Sequence, residues 1–133
     1  MAQTKLAKTF EELQVYQKAR KLTNGVYKVS QKGPFARDYG LTDQVRRASV
    51  SVMSNIAEGF ERGTRPEFIR FLFIAKGSCG ELRAQLEIAR DQEYLSEADH
   101  TLLRAQALEA SGMISRFITR LRSGPRVNKK TVS

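Results

Sequence analysis

GLTDQVRRASVSVMSNIAEGFERGTRPE, residues 40–67, reads as one complete helix, a tight turn and the start of another helix. Thr42 is placed to cap the first helix, since its hydroxyl can accept from free first-turn amides, and Asp43 sets negative charge at the positive end of the dipole. Gly59 and Gly63 can both take the left-handed conformation that stops a helix. Thr64 and Glu67 then form a capping box around Pro66, whose missing N–H is harmless in a first turn. At 100° per residue Val45, Ala48, Val52 and Ile56 make one apolar stripe, with Val50, Met53, Ala57 and Phe60 beside it. Together they exceed the single stripe, about 100° wide, of a surface helix, so this helix should touch at least two neighbours.

The flanks repeat the helical pattern. Upstream, Thr9-Phe10-Glu11-Glu12 reads as a capping box, followed by Leu13, Tyr16, Ala19, Leu22, Val26 and Val29 at helical spacing until Gly33-Pro34 ends the run. Residues 35–41 form the longest expected connection, anchored by Phe35, Tyr39 and Leu41. Downstream, a third helix should run from Pro66 to about Asp91 with a core stripe of Phe68, Phe71, Leu72, Ala75, Cys79, Leu82, Leu86 and Ala89. A fourth should open at Ser96 and close at Ser123-Gly124-Pro125, carrying Leu102, Leu103, Ala107, Leu108, Met113, Ile114, Phe117, Ile118 and Leu121 inward. No strand pattern and no internal repeat occurs. The short links predict an antiparallel up-down four-helix bundle over residues 9–122, with a flexible N-terminus (1–8) and a basic flexible tail (123–133).

Several apolar residues fall outside these stripes. Val50, Met53, Ile69, Phe73, Ile74 and Ile88 lie on additional sides of helices two and three, and Gly77 and Gly80 interrupt helix three. Helices apolar on several sides need a large fold or a partner chain, and mid-helix glycine lets another backbone approach closely. A chain of 133 residues offers one domain, so these eight residues are the expected self-association surface.

The chain carries 23 Lys and Arg against 14 Asp and Glu, a formal charge of +9. Such a surplus favours polyanions, nucleic acid foremost. Lys18, Lys21, Lys28, Arg116, Arg120, Arg122, Arg126, Lys129 and Lys130 are the expected contacts, at the ends of helices one and four and in the tail. Few aromatics accompany them, which predicts phosphate contact with weak sequence preference. Catalytic and metal chemistry find little support. His100 stands alone beside Asp99 as an expected surface residue, Cys79 lies on a core stripe, and no glycine loop follows a strand. No cofactor is expected. The single cysteine and the absence of an apolar run approaching roughly 20 residues predict a cytoplasmic chain that does not enter a membrane.

Three segments carry a family resemblance: Arg46-Arg47-Ala48, Asn55-Ile56-Ala57-Glu58-Gly59 and Gly77-Ser78…Glu81-Leu82. With Tyr39-Gly40-Leu41 and Asp43-Gln44, they resemble the bacterial four-helix-bundle family of 23S ribosomal RNA intervening sequences. The resemblance spans about Phe10 to Leu121, with Cys79 a departure in the Gly-Ser segment. It implies a homopentameric ring. It also singles out Arg46, Arg47, Asn55, Glu58, Ser78 and Glu81, which an antiparallel hairpin of helices two and three would bring together as a structural polar network. A hairpin turning at Arg62-Gly63 makes level residues sum to about 126, and an Arg47–Glu81 ion pair follows, with Arg46 the alternative donor. The family is similar to accessory proteins of diversity-generating retroelements, which associate with a reverse transcriptase. The expected function is therefore nonenzymatic binding of structured RNA by a homo-oligomer, with a scaffold for a reverse transcriptase or other nucleic-acid enzyme as the alternative.

Overall fold

The computed structural model describes residues 7–124. After a 3-10 turn at Phe10–Glu12 come five helices: α1 (Gln14–Ser30), α2 (Gly33–Arg37), α3 (Tyr39–Arg62), α4 (Arg65–Asp91) and α5 (Glu97–Ser123). Among the described residues there is no strand, and no helix is long and apolar enough to cross a membrane. The four long helices form a bundle in which α1 touches α3 and α5, and α4 touches α3 and α5, so each has two principal neighbours.

The core follows the helical stripes. On α4 all eight predicted residues, Phe68 through Ala89, are buried. Thr64 caps this helix, accepting from Glu67 N, and Gly63 ends α3 in the left-handed region at φ 81°. The α1–α3 contact is lined by small side chains, Ala19, Thr23, Ala48 and Ser49. There the Thr23 hydroxyl lies 3.0 Å from the carbonyls of both Ala19 and Ser49, which accept its single proton between them.

Several local expectations are corrected. Thr9 makes no side-chain cap; Leu13 is extended and buried, separating the 3-10 turn from α1. That break seats Phe10 edge-on against Tyr16 at 4.9 Å. The expected long connection at 35–41 is a five-residue helix, and α3 starts at Tyr39, capped by Asp38 rather than Thr42. Tertiary contacts decide this: Phe35 is fully buried and stacks on Tyr94 at 5.3 Å, while Tyr94 Oη donates to Asp38 Oδ2 and Leu41 N donates to Asp38 Oδ1. Thr42, one turn inside, donates instead to the Phe35 carbonyl. The bond to Asp38 is the main cause that raises the Tyr94 phenol above its ordinary pKa, with burial and the Asp38 charge adding to it.

Gly59 does not stop α3. It is buried inside the helix, where an added Cβ would stand 2.8 Å from Phe71 Cβ and 2.9 Å from Phe68 Cδ1. His100 is not a surface residue but 4% exposed, because it heads the same inward stripe as Leu103, Ala107 and Ala110. Leu102 and Leu108, adjacent to that stripe, are exposed instead. Tyr39, an expected anchor, stands out from the bundle.

The glycines of α4 behave differently from Gly59. Beyond the helix's own neighbouring backbone, nothing among the described residues lies within 4 Å of a Cβ built at Gly77 or Gly80, so the close approach expected there is not made by the other described helices. Gly77→Ala should stabilise the isolated chain by about 1 kcal/mol through helix propensity, measured as a rise in thermal midpoint at low protein concentration.

Candidate nucleic-acid interface

One end of the bundle gathers arginines on aromatic rings. Phe68 of α4 meets Phe60 of α3 at 6.1 Å and Phe117 of α5 at 5.2 Å, both edge-on, which sets the end of α3 and the last turns of α5 beside the start of α4. Arg62 and Arg70 flank Phe71, at 4.9 and 4.5 Å from its centroid. Arg120 lies 5.5 Å from the Phe117 centroid and Arg122 5.0 Å from that of Phe73, an exposed ring. Planar, weakly hydrated guanidinium groups can rest on a ring face while their edges stay available to phosphate oxygens.

Their counter-charges are unequal. Arg62 is shared by Glu58 at 3.0 Å and Glu67 at 3.9 Å, and Glu67 also holds Arg70 at 3.2 Å. Arg120 and Arg122 have no carboxylate within ion-pair distance among the described residues. They occupy the last turn of α5, where the helix dipole favours positive charge.

The predicted contacts are only partly brought together. Arg120 and Arg122 belong to this pole. Arg116, one turn earlier, folds back toward Gly112, its Nη1 3.3 Å from where a Cβ would stand there. Lys18 is paired with Glu109 at 3.2 Å and, with Lys21, lines a groove between α1 and α5. Lys28 lies further along α1, roughly 30 Å from Arg120 along the bundle at 1.5 Å per residue, so it cannot share one small contact surface with the pole. Arg126, Lys129 and Lys130 lie outside the described residues. Arg62 and Arg70 were missed because their relation to Arg120 and Arg122 arises only across helices; the one local hint was their i−9 and i−1 proximity to Phe71 around the marked turn.

The expected polar network also divides. Asn55 Nδ2 donates to the Ser51 carbonyl at 2.8 Å and lies 2.9 Å from Ser51 Oγ, which is 2.8 Å from Ser78 Oγ across the α3–α4 contact. Asn55 and Ser78 are thus joined through Ser51. The Arg47–Glu81 pair is not formed: Arg47 binds Asp43 at 2.8 Å, Arg46 donates to Ser30 Oγ, Glu58 binds Arg62, and Glu81 is exposed. The cross-helix hydrogen bonds join 51 with 78 and 44 with 85, a register about three residues from the expected one. Level residues therefore sum to about 129, and Arg47 and Glu81, whose numbers sum to 128, stay within one residue of level; Arg47 is instead taken by Asp43, one turn away on its own helix.

Of the expected self-association residues, Val50, Phe73, Ile74, Gly77 and Ile88 are exposed and Gly80 is half-buried, whereas Met53 and Ile69 pack on the chain's own core. No group of three or more potential metal ligands occurs among the described residues. Cys79 is fully buried, and burial pushes its thiol up to about 11, against a smaller lowering by Arg83. The thiol stays neutral in the folded chain while the unfolded thiol ionises from about pH 9. Stability is therefore unaffected below pH 9 and falls as pH rises from 9 to 11. Cys79→Ala should flatten that part of the decline in urea unfolding midpoints, and folded wild type should resist thiol labelling at pH 8.

Comparisons with known proteins agree with this architecture. The family model described as 23S rRNA-intervening sequence protein matches residues 11–116. A crystal structure of a protein of unknown function from the S23 ribosomal protein family of Bacteroides thetaiotaomicron is similar in fold, with a TM-score of 0.72 at 21% identity, over 78% of this chain and 97% of that one. No curated protein matches.

Proposed function

The chain belongs to the 23S rRNA-intervening sequence protein family, and from that premise we propose that it is a nonenzymatic, self-associating protein that binds structured RNA through its basic surface. The observation that carries this reading is the arginine pole: Arg120 and Arg122, without carboxylate partners among the described residues, beside Arg62 and Arg70 on a platform of phenylalanine rings. The pole adjoins the start of the basic tail, which adds Arg126, Lys129 and Lys130 in sequence. The family name points to RNA as the setting, and a cytoplasmic location fits it.

Self-association enters because Phe73, Ile74 and Ile88 leave apolar area exposed along α4 beside Gly77. An antiparallel arrangement of the four long helices, supported by the 44–85 and 51–78 pairs, presents that strip as one continuous face. Five copies closing into a ring would repeat the pole five times, and linked copies gain avidity without new contacts.

The test is a salt series of binding to a labelled structured RNA, with solution mass followed by light scattering. Neutralising Arg120 and Arg122 to Gln should weaken binding and reduce the slope of log K against log salt by about two, since each lost phosphate contact removes roughly one. Wild type that ignores RNA at low salt would overturn the function, and a monomeric mass would overturn the assembly.

A further inference from the structure

A second feature lies on the outward side of α3, remote from the arginine pole. Tyr39, Asp43, Arg46, Arg47 and Val50 share this side at one-turn spacing and, with Tyr27 of α1, line an open cleft of about 660 Å³. That size falls within the range of small-ligand sites, roughly 300–1,000 Å³.

Arg46 is the informative member. It is half-buried; its Nε donates to Ser30 Oγ at 2.9 Å, and its guanidinium lies 4.6 Å from the Tyr27 ring centroid. Ser30 is itself fully buried, so the fork is held in place. Both partners are neutral. Asp43, the carboxylate of the cleft, binds Arg47 at 2.8 Å, and no carboxylate lies within ion-pair distance of Arg46 among the described residues. A partly desolvated, pre-oriented guanidinium without a counter-charge is suited to a phosphate, which it can engage with two parallel N–H bonds. Arg47, exposed on the next position, can turn from Asp43 to the same anion. The cleft also holds Tyr39, 79% exposed. An exposed aromatic ring beside a phosphate-binding fork offers a stacking face for a base.

We propose that this cleft binds one unstacked nucleotide, its phosphate on Arg46 and Arg47 and its base against Tyr39. The nucleotide belongs either to a single-stranded stretch of an RNA also held at the pole, a form that rests on the function proposed above, or to a free nucleoside monophosphate. A base paired in a duplex cannot present its face to Tyr39, so the cleft discriminates between strand states where the pole does not.

The experiment titrates the full chain with a fluorescently labelled single-stranded RNA, with an RNA duplex of equal length, and with adenosine monophosphate as competitor, by anisotropy at fixed salt. Adenosine monophosphate binding is also followed directly by calorimetry. Tyr39→Ala, at an exposed position, should weaken single-strand binding roughly tenfold and leave duplex binding and the salt slope unchanged. Arg46→Lys, which keeps the charge and loses the planar fork, should weaken the single strand in the same way. Displacement by adenosine monophosphate assigns the cleft to free nucleotides as well; its absence, with the strand preference intact, restricts it to RNA. Tyr39→Ala binding both RNAs like wild type, or losing both equally, overturns the cleft while leaving the basic-surface reading standing. So does a lower solution mass with unchanged RNA affinity, which would give this face to a second copy of the chain. Wild type that binds adenosine monophosphate through Tyr39 but no RNA overturns the basic-surface reading alone. Wild type that binds neither overturns both.

Discussion

Phe68→Ala should destabilise the chain by about 3–5 kcal/mol, the range for removing a fully buried aromatic side chain, and lower its thermal midpoint by roughly 10–20 °C for a domain of this size. Phe68 is 1% exposed and lies against two other helices at three points: Phe60 near the end of α3, Phe117 near the end of α5, and the bare backbone of α3 at Gly59. Its removal leaves a cavity where three helices meet, and two edge-on ring contacts are lost with it. The same contacts position the arginine pole. The variant should therefore also weaken RNA binding at temperatures where it remains folded, because Arg62, Arg120 and Arg122 lose the framework that brings them together. A urea midpoint shifted by less than the equivalent of 2 kcal/mol would mean that the three helices close over the vacancy.

Gly59→Ala should destabilise as well, by about 1–2 kcal/mol, although alanine is the better helix former. Replacing an interior helical glycine gains up to about 1 kcal/mol, but overpacking typically costs about 1–3 kcal/mol. Here the added Cβ stands 2.8 Å from Phe71 Cβ and 3.3 Å from the Phe68 carbonyl oxygen. Neither atom is the far end of a flexible side chain, so relief requires moving α4 against α3. The opposite sign is expected at Gly77, where nothing stands within 4 Å, and comparing the two substitutions separates packing from propensity. Combining Gly59→Ala with Phe68→Ala should be less damaging than the sum of the two, because the 2.9 Å contact with Phe68 Cδ1 disappears in the double variant. Urea unfolding of the two single variants and the double variant reads this coupling directly.

What the sequence by itself determined is the part of the structure governed by neighbours three or four residues apart. The α4 stripe from Phe68 to Ala89, the Thr64 cap with Glu67, the left-handed Gly63 and the burial of Cys79 all follow from helical spacing and terminal chemistry. His100 was legible by the same rule, since it stands three residues before Leu103 on the inward stripe. The tertiary structure alone decided which of several local options was used. Asp38 caps α3 instead of Thr42 because Phe35 and Tyr94, 59 positions apart, dock there and fix Asp38 between them. Arg46 turns to Ser30 and Tyr27 across the α1–α3 contact, and Arg47 to Asp43 on its own helix, because packing supplies those partners nearer than Glu81. Arg62 and Arg70 join Arg120 and Arg122 only across helices, through the Phe68–Phe117 contact and the seating of Arg122 on Phe73. The physical reason is common to all three. A helix fixes its own faces by periodicity, but which face meets which across two helices depends on interhelical offset. Periodicity places a side chain on a face, and only the packing of the helices supplies the neighbour it meets there.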